Sequence, residues 1–139
     1  MGSALWLLLA LPKWYFSTVL SPFGAGILSL VPAVGVTCFL VGTALAMRHR
    51  QRRLLFFVIP FVLSEIFVAG AGALRGQVHG SVASVTLLAF FALQVVVSCV
   101  LIYLSRGARA SASALAVFSI TYAAFGAFIA GMSFSDDWL

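Results

Sequence analysis

Glu65 is the residue whose chemical type and position most strongly suggest a function. It lies near the middle of FVIPFVLSEIFVAGAG (57–72), an almost unbroken apolar run, in a chain with only three acidic residues. A carboxyl group in such surroundings can bind and release a proton or pair with a cation, or it can hydrogen-bond to a neighbour and fix helix register. We take the first role as the leading interpretation and the second as the alternative.

Polar side chains near the middle of the other apolar segments are candidate partners for Glu65. A central polar layer is geometrically possible, and its members would be Glu65, Gln94, Tyr122, Ser119 and Thr37. Small residues share the helical stripe of Glu65, which indicates that this stripe faces protein rather than lipid. In the structural alternative, Glu65 would bond to Gln94 or to a serine.

Cysteine and histidine spacing gives no support for a metal or cofactor site. Cys38 and Cys99 lie in apolar segments without a C-x-x-C motif, so we expect neither zinc nor thiol redox chemistry. His49 and His79 lie in loops on opposite sides of the predicted membrane, so they cannot share one metal or haem. We therefore expect no metal and no cofactor.

The composition excludes an ordinary soluble protein. Of 139 residues, 63% are hydrophobic and 8% are charged, whereas a soluble domain has roughly 25% charged residues. Long apolar runs predict transmembrane helices, and the alternation typical of a transmembrane β-barrel is absent. Nucleic-acid binding is not expected either, because the basic residues are concentrated in two short loops between apolar spans.

Four apolar segments are long enough to cross a bilayer. We predict an all-α integral membrane protein, a single antiparallel bundle of four transmembrane helices in which consecutive helices are neighbours because their loops are short. The predicted spans are 22–47, 54–74, 81–105 and 111–133.

Residues 1–21 are predicted to form an interfacial or re-entrant lead-in. Their apolar part is too short to span and is interrupted by Pro12 and Lys13. The KWYF sequence (13–16) has the cation and aromatic rings typical of the headgroup level. A fifth, partial span is the alternative.

Basic residues predict the orientation of the spans. Six arginines flank one side and only Lys13 and Arg75 flank the other, so loops 48–53 and 106–110 should be cytoplasmic, with both termini on the opposite face. We expect the inner membrane of a bacterium. Four of the six arginines act as topogenic charges or bind lipid headgroups, and they are Arg48, Arg50, Arg52 and Arg53.

Small residues line one face of the first and of the fourth span, which predicts close helix packing within the bundle or against other subunits. They are Gly24, Gly35, Gly42 and Ala46 in the first span, and Ser113, Ala116, Ala123, Ala127 and Ala130 in the fourth. Pro32 and Pro60 are predicted to lie inside helices and to kink them.

The leading functional hypothesis is a small transport or permeation protein with Glu65 as its proton or cation site, assembled in the bilayer as a homo-oligomer. In outline the chain resembles the small multidrug exporters, which also have four spans and an embedded glutamate. Their acid belongs to the first helix, whereas Glu65 is in the second, so no residue role is carried over.

The alternative is a non-catalytic accessory subunit of a larger membrane complex. We do not expect an enzyme, because the only paired acids are Asp136 and Asp137 at the end of the chain.

Overall fold

The computed structural model describes residues 2–20, 30–48, 52–74, 77–78 and 80–135, and the chain is almost entirely helical within those ranges. Five α-helices follow one another: α1 (Gly2–Leu20), α2 (Leu30–Arg48), α3 (Val58–Ala73), α4 (Gly80–Leu104) and α5 (Arg109–Ser135). A 3-10 helix (Arg52–Phe57) leads directly into α3.

Four helical stretches are long and apolar enough to cross a membrane, which confirms the predicted all-α transmembrane bundle. They are Leu30–Arg48, Leu54–Ala73, Gly80–Leu104 and Arg109–Phe134. Helices satisfy their own backbone hydrogen bonds, which lipid cannot do, so uninterrupted apolar runs of this length fold in this way. The observed ends lie within two residues of the predictions, except that α2 begins at Leu30 and residues 21–29 lie outside the described ranges.

The bundle core has three layers along its length. At one end, the last turns of α2 and α4 meet the 3-10 helix and the start of α5, around Leu54, Leu101 and Leu115. The middle layer contains Leu11 and Tyr122, and the layer at the other end contains Ala130 and Phe134. We call the first end the basic end, because the segments 48–53 and 106–110 adjoin it.

Helix α5 is the centre of the bundle, with α2, α3 and α4 packed around it. Half of the membrane-spanning part of α5 is buried inside the bundle, whereas only 17% of that part of α2 is buried. The prediction that all consecutive helices are neighbours is wrong for α2 and α3, which have almost no contact because α1 packs between them. The small residues of α5 allow several helices to approach it closely, so the sequence neighbour α3 need not pack beside α2.

Helix α1 belongs to the bundle rather than to its surface. Leu11 packs near Val68 and Gly126, whereas Phe16, further along α1, lies beside residues nearer the basic end. Helix α1 therefore runs in the same direction as α2, and the prediction of an interfacial or re-entrant lead-in stays a prediction. The headgroup-level prediction is wrong for Tyr15, which is fully buried in the middle layer.

The small-residue face of α2 packs within the chain. Gly35 lies against Tyr15 and Thr121, and Gly42 lies against Ala114 and Leu115 of α5. Gly24 lies outside the described residues. The face is thus used to bring α1 and α5 close to the α2 backbone.

Pro60 does not interrupt a helix interior as predicted. The 3-10 helix ends at Phe57, and Pro60 is the third residue of α3, where an α-helix has no backbone bond to lose. Pro32 likewise lies in the first turn of α2 as described.

We expect Gly35→Ala to destabilise the bundle by about 1–3 kcal/mol, as overpacking does. A Cβ at this position would overlap the Tyr15 hydroxyl and Thr121 Oγ1. Gly70→Ala is the matched control, because a Cβ there meets no atom within 4 Å. Thermal unfolding in detergent should separate the two variants, and equal midpoints would contradict the described packing of α1 on α2.

Candidate functional site

Glu65 and Tyr122 meet halfway along the bundle. Tyr122 is the middle residue of α5, thirteen residues from Arg109 and thirteen from Ser135. Glu65 lies in α3 between Val58 and Ala73, and it is only partly exposed. The carboxyl group therefore lies far from both helix ends.

The Tyr122 hydroxyl donates a hydrogen bond to Glu65 Oε1. The other carboxyl oxygen, Oε2, is buried and has no hydrogen-bond partner among the described residues. A proton or cation bound at Oε2 would leave the Tyr122 bond in place, because Oε1 accepts it in either charge state. The pair can therefore exchange a proton at one oxygen while the other anchors the side chain.

Aromatic rings fix the orientation of Tyr122, which is fully buried. The Phe61 ring lies 4.7 Å from the Tyr122 ring, and the Tyr15 ring lies 4.9 Å from it at an interplanar angle of 65°. The Tyr15 hydroxyl is in turn hydrogen-bonded to Thr121 Oγ1 at 2.8 Å. This packing restricts the phenol to a narrow range of positions, so its hydroxyl stays directed at Glu65.

Tyr15 was missed as a site residue. Its place in KWYF, beside Lys13, is typical of an interfacial anchor, and this pattern concealed its role. The i, i+4 spacing of Leu11 and Tyr15 puts both on one face of α1, and that face is buried. This spacing was the available signal, although many lipid-facing pairs share it.

A second polar cluster joins α3 to α4. Gln94 Nε2 donates to the Pro60 carbonyl oxygen at 3.0 Å and lies 3.1 Å from Ser64 Oγ, while Ser64 Oγ donates to the same carbonyl at 3.0 Å. Gln94 Oε1 and Ser98 Oγ are buried and have no partner among the described residues. This cluster fixes the contact between α3 and α4.

The structure brings together only some of the residues predicted for a central polar layer. Glu65 contacts Tyr122, but Gln94 bonds to Ser64, and successive residues of a helix point about 100° apart. Ser119 donates to the Leu115 carbonyl at 2.9 Å, and exposed Thr37 donates to the Ala33 carbonyl at 2.8 Å. Both hydroxyls thus bond to their own helix.

No group of three or more histidine, cysteine or acidic side chains that could bind a metal occurs within the described ranges. Cys38 and Cys99 are free thiols there. His49, His79, Arg50 and Arg75 lie outside those ranges, so the expectations about them stay predictions.

No protein-family model matches the chain, and searches of curated proteins and of solved structures find no significant match.

We expect Gln94→Met to lower the free energy of unfolding by about 1 kcal/mol, the size of a hydrogen bond between membrane helices. It removes the bonds to Pro60 and Ser64 but leaves Glu65 and Tyr122 untouched. Ser98→Ala is the matched control on the same face of α4 and should be neutral, because the Ser98 hydroxyl has no hydrogen-bond partner in the described part of the chain. If Gln94→Met altered ion flux as strongly as a change at Glu65, the two clusters would not be separate.

Proposed function

We propose that the protein is a small transport or permeation protein in which Glu65 takes up and releases a proton or small cation inside the bilayer. The observation that carries the proposal is the pairing of Glu65 Oε1 with the Tyr122 hydroxyl while Oε2 is unpartnered among the described residues. An intramembrane acid is costly to insert, about 3 kcal/mol at a helix centre. The unpartnered Oε2 is the atom at which a proton or a small cation would bind.

The chemistry follows from the two inequivalent oxygens. The hydrogen bond from Tyr122 stabilises the charged carboxylate, and the unpartnered Oε2 favours binding of a proton or cation that neutralises it. Glu65 as a residue is partly exposed, whereas Oε2 itself is buried, so an ion reaches Oε2 only when neighbouring side chains move.

We further propose that the working form is a homo-oligomer, with the basic end in the bacterial cytoplasm. In the described part of the chain, apolar core layers lie on both sides of Glu65 along the bundle axis. A route for ions between copies would avoid those layers. Large apolar side chains exposed along α4, such as Val85, Leu88 and Val96, offer surface for such contacts.

The accessory-subunit alternative receives no specific support. It relied on small-residue faces for docking to a partner, and Gly35, Gly42, Ala123 and Ala130 are buried against helices of the same chain.

The test is ion flux in proteoliposomes. The full chain, purified and reconstituted, should dissipate an imposed pH gradient faster than protein-free vesicles of the same lipid. A second arm replaces the pH gradient with gradients of small cations, which identifies the ion. Vesicles that hold folded protein but show only the protein-free rate with every ion would overturn the proposal.

A further inference from the structure

A groove opens between α2 and α3 in the half of the bundle nearest the basic end. Its volume is about 920 Å³, and its floor is formed by Leu115 and Phe118 of α5. Phe39 and Met47 of α2 line one wall, and Leu55 and Phe61 line the other. Helix α1 fills the space between α2 and α3 further along the bundle, but here, among the described residues, it supplies only Phe16.

The groove is apolar and has the depth of one bilayer leaflet. Among the described residues that line the groove, Thr43 is the only one with a polar side chain. The wall from Met47 to Phe39 extends over eight helical steps, or about 12 Å of helix, and half of a bilayer core is about 15 Å. The groove opens sideways, because the side chains of Met47 and Leu55 are 69% and 70% exposed.

Positive charge adjoins the mouth of this groove. Met47 is followed in sequence by Arg48, and Leu54 is preceded by Arg52 and Arg53. The last residue of α2 and the first residues of the 3-10 helix are thus arginines at the ends of the two groove walls. An apolar slot with cations at its open end complements an amphiphile that has an apolar tail and an anionic head.

We propose that the groove is a binding site for an anionic phospholipid of the leaflet at the basic end. One acyl chain lies between α2 and α3, and the phosphate is held by the positive charge of Arg48, Arg52 and Arg53 at the ends of the two groove walls. The tip of the acyl chain lies against Phe61 and Phe118, whose rings also contact Tyr122. Ordinary boundary lipid would cover the same face without regard to its headgroup, so selectivity for negative charge distinguishes the two cases.

The experiment is native mass spectrometry of the full chain in detergent, with phosphatidylglycerol and phosphatidylcholine of identical acyl chains added in equal amounts. We expect the wild type to retain phosphatidylglycerol about tenfold better, since each basic residue near an anionic lipid adds about 1 kcal/mol, or roughly fivefold. Equal retention of the two lipids would overturn the proposal and leave only boundary lipid.

Two sets of variants localise the binding. Ala46→Trp fills the groove, because Ala46 lines it, whereas Ala44→Trp places the same ring on the exposed face of α2. Only Ala46→Trp should reduce phosphatidylglycerol retention, by about tenfold. Equal effects of the two variants would show that the lipid does not bind in the groove. Arg52→Gln with Arg53→Gln removes two of the three positive charges at the ends of the groove walls and should abolish the preference for phosphatidylglycerol, while Arg106→Gln, beside Tyr103 of α4, should not. A preference that survives the double change would also overturn the proposal.

Discussion

Replacing Glu65 by glutamine is expected to lower ion flux in proteoliposomes at least tenfold while the protein stays folded. The amide has nearly the same volume and its oxygen still accepts the hydrogen bond from Tyr122, so the free energy of unfolding should change by less than about 1.5 kcal/mol. The amide binds no proton in the physiological range and carries no charge to attract a cation. Loss of flux without loss of fold would therefore report the carboxyl group itself.

Two further variants sharpen this prediction. Tyr122→Phe keeps the buried ring between Phe61 and Tyr15 but removes the donor to Oε1, so we expect a smaller loss of flux than with Glu65→Gln. Ser119→Ala is the matched control on α5, because within the described ranges its hydroxyl bonds only to the Leu115 carbonyl of its own helix. Flux should be normal in that variant. Full flux in folded Glu65→Gln would refute the assigned role of Glu65.

Replacing Tyr15 by alanine is expected to lower the free energy of unfolding by about 3–5 kcal/mol, the range for removing a buried aromatic ring. Tyr15 is fully buried, contacts the rings of Phe118, Tyr122 and Phe125, and bonds to Thr121. The cavity would lie where α1 meets α5, so α1 should also become accessible to protease. Thermal unfolding in detergent and limited proteolysis measure the two effects.

Two tyrosine variants are the controls for that experiment. Tyr15→Phe keeps the ring and loses only the bond to Thr121, at a cost of about 1 kcal/mol. Tyr103→Ala removes a ring that is 61% exposed on α4 and should change stability little. If Tyr15→Ala and Tyr103→Ala unfolded alike, α1 would not be an integral part of the bundle.

The spans could be predicted from the sequence because the bilayer acts on composition alone. A helix such as α4 must be apolar along its whole length to insert into the bilayer. Hydropathy and the polar loop residues on either side therefore predict both of its ends to within one residue. Helix neighbours depend instead on side-chain fit. Helix α1 packs between α2 and α3 because Gly35 lets Tyr15 and Thr121 approach the α2 backbone closely. No periodicity in the sequence indicates this approach.

The candidate site was foreseen in part for similar reasons. The position of Glu65 in its span and the candidacy of Tyr122 follow from counting residues along two helices. Which side chains hydrogen-bond to each other depends on how each helix is rotated about its axis. In α3 the adjacent residues Ser64 and Glu65 face different helices, so Ser64 bonds to Gln94 and Glu65 bonds to Tyr122. Rotation is set by packing against α5 and α1, so only the three-dimensional structure supplies it.

The central claim, that Glu65 exchanges a proton inside the membrane, is tested most directly by the infrared spectrum of the reconstituted protein as pH is varied. The chain has only three acidic residues, so the difference between wild type and Glu65→Gln isolates one carboxyl group. We predict a carbonyl band of protonated Glu65 that is present at low pH, disappears as pH rises, and shifts in Tyr122→Phe. A difference spectrum that contains no carboxyl band changing with pH would contradict the claim.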